Sequence, residues 1–416
     1  MPFLFFIRFF KALCFLLLSL SGTVLLAQQE AVPSEYESLE AELAPRALPL
    51  AIRTESGAVP ERRFNREWLA ERGLAFTFSY TAEAFTNVRR DGNSRRGAEY
   101  LGSVDTTLEF DFGKLGLGRG QLVVSAQGIH GRSINDSRVG AIQAPSNLDS
   151  AGFNKFTEVW YGDSYLEDRI RIKIGRQYAD ADFNVTESAS EFLNSSYGLI
   201  PTVLSPTYPT PMLGASAWTE PAKWIAMGVG VYRGGELEPV DGTAPPAKQG
   251  LFSMAEVKLK PYSSNSAFHG VYSVGVWLQP RGAWSTSTET RTVRNGGLYA
   301  TADHWFRRTN SAGENSGPGV FLQAGWAPAD RNEITGYISG GLAWRGLIPT
   351  RSNDSVGLGV TQVKLSATGR ETATEIYYRW QVSKKLALQP DLQFVSRPYG
   401  TGRNAVVAGI RTVFEI

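Results

Sequence analysis

The sequence predicts an all-β fold: a transmembrane antiparallel β-barrel of about 16 strands, with long extracellular loops and an infolded constriction loop. Three observations predict it. Many segments alternate polar and apolar residues with period two, compact turns alternate with long loops, and beyond the N-terminus no apolar run is long enough for a membrane helix. Composition agrees. The 416 residues are 42% hydrophobic and 20% charged, with 10 Trp, 16 Tyr and 22 Phe, which excludes a disordered chain. The 42 basic and 40 acidic side chains leave a net charge of +2, without the basic excess of a nucleic-acid binder.

In chain order, residues 1–27 have the pattern of an export signal. Arg8 and Lys11 supply positive charge, residues 12–26 are apolar, and Ala27 is a small residue for cleavage before Gln28. A membrane anchor is the alternative, but the uncharged stretch falls short of the ~20 residues a spanning helix needs. Cys14, the only cysteine, lies in this segment, so the mature chain has no disulfide scaffold. Residues 28–72 are expected to form a periplasmic segment, with Pro33, Pro45, Pro49 and Pro60 interrupting any period, and residues 73–416 the barrel.

Within the barrel, Val104, Thr106, Leu108, Phe110 and Phe112 alternate with Asp105, Thr107, Glu109 and Asp111. Arg169, Arg171 and Lys173 alternate with Ile170, Ile172 and Ile174, and Glu375, Tyr377, Arg379 and Gln381 with Ile376, Tyr378 and Trp380. Strands are expected near 73–87, 97–113, 120–131, 155–166, 169–177, 213–220, 224–232, 250–260, 269–279, 297–307, 318–328, 333–346, 354–366, 371–382, 386–396 and 404–416. Compact turns such as Leu166-Glu167-Asp168 and Ser383-Lys384-Lys385 separate longer loops at 132–154, 178–212, 233–249 and 280–296. Short turns on one side and long loops on the other are how such a barrel meets periplasm and exterior. Trp344, Trp380 and Phe414 fall near the periplasmic strand ends and Trp326 near an opposite end, positions of an aromatic girdle. A soluble β protein would instead bury each as core.

Several motifs in shared order resemble the carbohydrate-selective outer-membrane porins, the OprB-like family. They are Trp68-Leu69-Ala70-Glu71-Arg72-Gly73, Gln127-Gly128-Ile129-His130-Gly131, Glu158-Val159-Trp160-Tyr161, Ile172-Lys173-Ile174-Gly175-Arg176, Gly325-Trp326-Ala327-Pro328 and Leu388-Gln389-Pro390-Asp391. The chain departs from the family in ending at Ile416 rather than Phe, and in a short connection near 367–370. The resemblance implies a bacterial outer-membrane porin that passes carbohydrates by facilitated diffusion. Its partners would be sugars and outer-membrane lipid, as a monomer or a trimer, with no nucleic acid.

A sugar presents hydroxyls on its edge and an apolar C–H face, so a selective pore wants polar groups beside aromatic surfaces. Glu158 and Trp160 share inward parity and form a candidate sugar-handling pair, although a Trp packed against an infolded loop has the same pattern. Arg169, Arg171 and Lys173 follow on an adjacent inward ladder, which also fits a merely solvated wall. The long loop at 178–212 carries Asp180, Asp182, Glu187 and Glu191, and these are expected to face that ladder across a constriction. Asp105, Glu109, Gln127, Asp303, Glu375, Arg379 and Arg411 also have inward parity, giving a lumen of mixed sign. Weak anion selectivity is the alternative, since Arg169, Arg171, Lys173, Arg379 and Arg411 could outnumber the nearby acids. Catalysis has one candidate cluster, His130-Gly131-Arg132-Ser133 with Asn135, placed where a strand enters a loop. No phosphate loop and no Cys/His metal spacing is present, and no cofactor is expected.

Overall fold

A strand that commits one face to lipid and the other to water must hydrogen-bond on both edges, because an open edge in hydrocarbon leaves backbone groups unpaired. The computed structural model describes residues 66–89, 97–233, 236–237, 247–248, 250–261, 269–285, 290–306 and 317–416, and closes sixteen antiparallel strands into one barrel. They are β1 (Leu74–Asn87), β2 (Glu99–Asp111), β3 (Gln121–Gly131), β4 (Phe153–Tyr165), β5 (Ile170–Gln177), β6 (Met212–Ala222), β7 (Ile225–Arg233) and β8 (Leu251–Leu259). The second half comprises β9 (His269–Ser285), β10 (Thr290–Trp305), β11 (Gly317–Trp326), β12 (Ile334–Arg345), β13 (Ser355–Leu365), β14 (Arg370–Ser383), β15 (Leu386–Ser396) and β16 (Ala405–Glu415). Each pairs with its neighbours in sequence, and β1 meets β16 in a register from Ser79 opposite Glu415 to Asn87 opposite Val407.

A short helix, α1 (Arg66–Glu71), leads into β1, with the Arg72 guanidinium 3.9 Å above the Trp68 ring. At Gly73, between them, φ is 87° and an added Cβ would lie 2.7 Å from the Asp111 carbonyl oxygen, so only glycine fits this turn. The segments expected at residues 1–65 lie outside the described residues, as does most of the loop expected at 233–249.

All sixteen expected strands are present. The loop expected at 280–296 is instead mostly strand: β9 runs to Ser285 and β10 begins at Thr290. At 17 residues β9 exceeds the ~9–11 needed to cross a bilayer. Its outer part needs no apolar face, so apolar alternation could not reveal it. The short connection near 367–370 is present, with β13 and β14 joined across residues 366–369.

The two faces separate as period two demands. Val274, Leu322 and Ile338 are about 60% exposed on the outside, whereas Thr361, Glu371, Glu375 and Gln393 are fully buried inside. Trp326, Trp380 and Phe414 are exposed on the outer face at the strand ends. Two connections fold into the barrel, residues 132–152 and 178–211. They bond to each other, with the Ser195 N–H donating to the Ala144 carbonyl at 2.9 Å and the Asn147 N–H to the Leu193 carbonyl at 2.7 Å.

Candidate functional site

The infolded connection 178–211 divides the lumen. On one side it is an apolar plug: Phe183, Ile200 and Val203 pack against inward Trp218, Tyr232, Phe252, Trp277, Tyr299 and Tyr337. Phe192 and Tyr197 pack against Phe321 and Tyr377. Each such side chain contributes roughly 1.5–3 kcal/mol on burial. The wall makes room with glycine. At Gly325 an added Cβ would stand 2.1 Å from Thr202 Oγ1 of the connection.

Buried wall carboxylates fix the plug's backbone. Glu256 on β8 accepts the Asn184 N–H at 2.6 Å. Asp303 on β10 accepts the Glu187 and Ser188 N–H groups at 2.6 and 3.2 Å and the Ser188 hydroxyl at 2.5 Å. Glu375 on β14 accepts the Leu193 and Asn194 N–H groups at 2.6 and 2.8 Å. Glu371 holds the other connection in the same way, through the Ile142 and Gln143 N–H groups at 2.9 and 2.8 Å. These bonds satisfy loop amides that water cannot reach.

These contacts correct the expectation that Glu375 meets solute, since the connection covers it wholly, whereas Asp303 does line the open cavity while both its oxygens bind the loop. Arg411 is likewise buried, ion-paired with Glu83 and donating to Asn147 Oδ1 at 2.6 Å. Glu191 does not face the β5 ladder. It pairs with Arg345 at 3.2 Å and accepts from Ser355. Arg169 lies exposed in the turn before β5 rather than on the ladder.

The other side of the lumen is open. A cavity of about 820 Å³ is bordered by Asp111, Arg119, Asp163 and Asp168 from the compact-turn ends of β2–β5, so it opens toward the periplasmic rim. Deeper in lie Trp160, Arg171, Lys173, Asp182, Trp218 and Lys258. Lys173 Nζ stands 4.4 Å over the Trp160 ring and 3.6 Å from the Asp182 carboxylate. Lys258 Nζ stands 4.2 Å over Trp218, donates to the Asp182 carbonyl at 2.9 Å and lies 3.3 Å from Glu256. Asp182 thus sits between two lysines that each cover an indole. Nearer the rim, Glu220 bridges Arg171 at 3.7 Å and Lys260 at 2.9 Å.

The remaining candidate residues are not among those that border this cavity. Glu158 accepts the Tyr178 N–H at 3.2 Å, while Asp105 accepts from Ser103 Oγ at 2.6 Å and Gln127 donates to the same hydroxyl at 3.2 Å. Glu109 is exposed toward the short-turn end of β2, and Arg379 is half-exposed opposite Ser355. Asp180 is half-buried in the connection. Desolvation pushes its carboxyl up to about 6, against the lowering effect of the Thr207 hydroxyl that donates to it. His130 stands on the outer face, its Nε2 3.2 Å from the Tyr80 hydroxyl, while Ser133 Oγ accepts the Asp136 N–H at 3.0 Å inside the loop.

A sixteen-stranded closed barrel, narrowed by infolded loops around a charged, water-accessible lumen, is a porin. Residues 95–416 match the family described as carbohydrate-selective porin, OprB family, and the chain belongs to that family. It is 21% identical over 414 residues to Porin B of Pseudomonas aeruginosa, an alignment covering 84% of this chain and 89% of that protein. Among solved structures, OprB of Pseudomonas putida has a TM-score of 0.73 at 18% identity, covering 84% of this chain and 96% of the other. A mutant porin of Rh. blastica gives 0.51 at 9% identity, covering 82% and 100%. The family and the fold place the chain in the outer membrane as a carbohydrate porin.

Proposed function

We propose that the open side of the lumen passes neutral sugars passively, with Trp160, Lys173 and Asp182 as the contact surface. The observation that carries this is the mutual neutralisation of that surface: Lys173 is held by Asp182 and by the indole face, leaving hydroxyl-sized polar positions without a net field. The match to the carbohydrate-selective porin family supports sugar as the solute. Among the cavity-lining residues six carboxylates face five basic groups, and this balance argues against strong anion selectivity. Residues 1–27 would direct export and residues 28–72 stand in the periplasm, and transport would use no energy source and change no bond.

Liposome swelling with a graded series of sugars, amino acids and salts tests the reading. Sugars should enter faster than charged solutes of equal size, and sugar should block the single-channel current. Strong anion preference with no response to sugar would replace this reading with a general anion porin.

A further inference from the structure

We propose that Lys364 and Arg370 form a binding site on the outer face of the barrel for the phosphate of an anionic outer-leaflet lipid. The proposal rests on the outer-membrane placement but not on sugar as the solute.

Orientation follows from alternation. On β13, Leu358 and Val360 are exposed while Gly359, Thr361 and Val363 are buried; on β14, Ile376 and Trp380 are exposed while Glu371, Ala373 and Glu375 are buried. Lys364 and Arg370 are exposed and belong to the outward series of their strands. They stand directly opposite each other in the β13–β14 register, which puts their Cβ atoms about 4.5–5.5 Å apart. Like charges so placed destabilise a strand pair unless an anion lies between them. Among the described residues no carboxylate is within ion-pairing reach of either. Arg370 reaches only Gln362 Oε1, at 3.4 Å, and Gln362 in turn donates to Thr372 Oγ1 at 3.0 Å. Glu333, the exposed acid of the neighbouring connection, accepts from the Tyr399 hydroxyl.

Depth follows from the same row. Lys364 is opposite Gly336 on β12, and Gly336 is opposite Trp326 on β11. Trp326 is 54% exposed at the long-loop end of the barrel, the headgroup level of the outer leaflet. Two cations therefore sit at headgroup depth beside a position without a side chain, where an added Cβ would meet only Lys364 Cβ at 3.6 Å. Toward the bilayer centre, exposed Val360, Leu358 and Ile338 continue as apolar surface. A guanidinium fork and an ammonium over an apolar strip match a phosphorylated headgroup with its acyl chains below.

The test uses the full chain folded in detergent, with binding read by native mass spectrometry. The probes are bisphosphorylated lipid A, dephosphorylated lipid A and inorganic phosphate. The wild-type barrel should retain phosphorylated lipid A and bind the dephosphorylated form weakly. Lys364→Gln with Arg370→Gln should weaken retention roughly tenfold or more, while Lys364→Arg with Arg370→Lys retains it. Should the double variant fail to fold, each single Gln variant reads a part of the loss. Equal retention by wild type and the Gln variants overturns the proposal, and displacement of lipid A by inorganic phosphate at equal concentration overturns the lipid as occupant. Channel conductance and heat-modifiable migration are measured on the same samples, so a wild-type chain lacking both would sink the porin reading separately.

Discussion

The inner wall from β2 to β5 and the inner wall from β8 to β14 carry the same kinds of charged residue at the same parity, yet use them differently. On the first, Trp160, Arg171 and Lys173 border open space. On the second, Glu256, Asp303, Glu371 and Glu375 are spent on backbone N–H groups of two infolded connections. An inward carboxylate is thus a solute contact only where no loop covers it.

Removal of an anchor should affect the two walls most unequally. Glu375→Leu leaves the Leu193 and Asn194 N–H groups buried without an acceptor, at about 1–3 kcal/mol each. The connection should detach, with planar-bilayer conductance rising several-fold, whereas Asp105→Asn on the open wall should leave conductance near wild type. Equal effects from the two would erase the distinction between the walls.

On the open wall, Trp160→Ala should weaken sugar block by about 1 kcal/mol, several-fold in the block constant, at nearly unchanged conductance. Wild-type block in that variant would remove Trp160 from the contact surface. A smaller change is expected from Asp182→Asn, which leaves Lys173 without its carboxylate and should move the reversal potential toward anion preference while sugar entry persists. An unchanged reversal potential would show that Asp182 does not set the balance.

The smallest effect is pH-dependent. Burial holds the Asp180 carboxyl near 6, so raising pH through that value adds one negative charge to the connection. Cation preference should rise with a midpoint near 6, and Asp180→Asn should shrink the step, the rest belonging to Asp149 of the other connection, whose carboxyl burial also raises to about 6. Because the folded value is raised, the burial cost is absent below the ordinary carboxylate range and complete above about 6, so the seated loop is favoured by acid. A pH-independent reversal potential would contradict this.

How much of this was legible follows from what each residue touches. Strands such as β2, β5 and β14 were legible because lipid on one face and polar groups on the other enforce period two. The outer parts of β9 and β10 were not, since a hairpin beyond the bilayer has no apolar face to read. Trp160, Lys173 and Asp182 came together as their spacing suggested, because β4, β5 and the following connection are consecutive. The anchoring roles of Glu375 and Asp303 were invisible: parity points them inward but does not say what lies over them. One signal could have revealed the covered wall. Inward aromatics such as Tyr232 and Tyr377 lie near inward glycines, Gly230 and Gly357, which leave room for rings that a water-filled lumen would not need.

The reach of the anchors also imposes an order of events on assembly. The connection 178–211 leaves the wall after β5, but Glu375, which holds Leu193, lies 182 residues further along the chain. Contacts of such separation form late because loop closure must precede them. The narrowing of the pore is therefore completed after most of the cylinder exists. Until β14 is in place, the Leu193 and Asn194 N–H groups of the connection have no wall carboxylate to accept them.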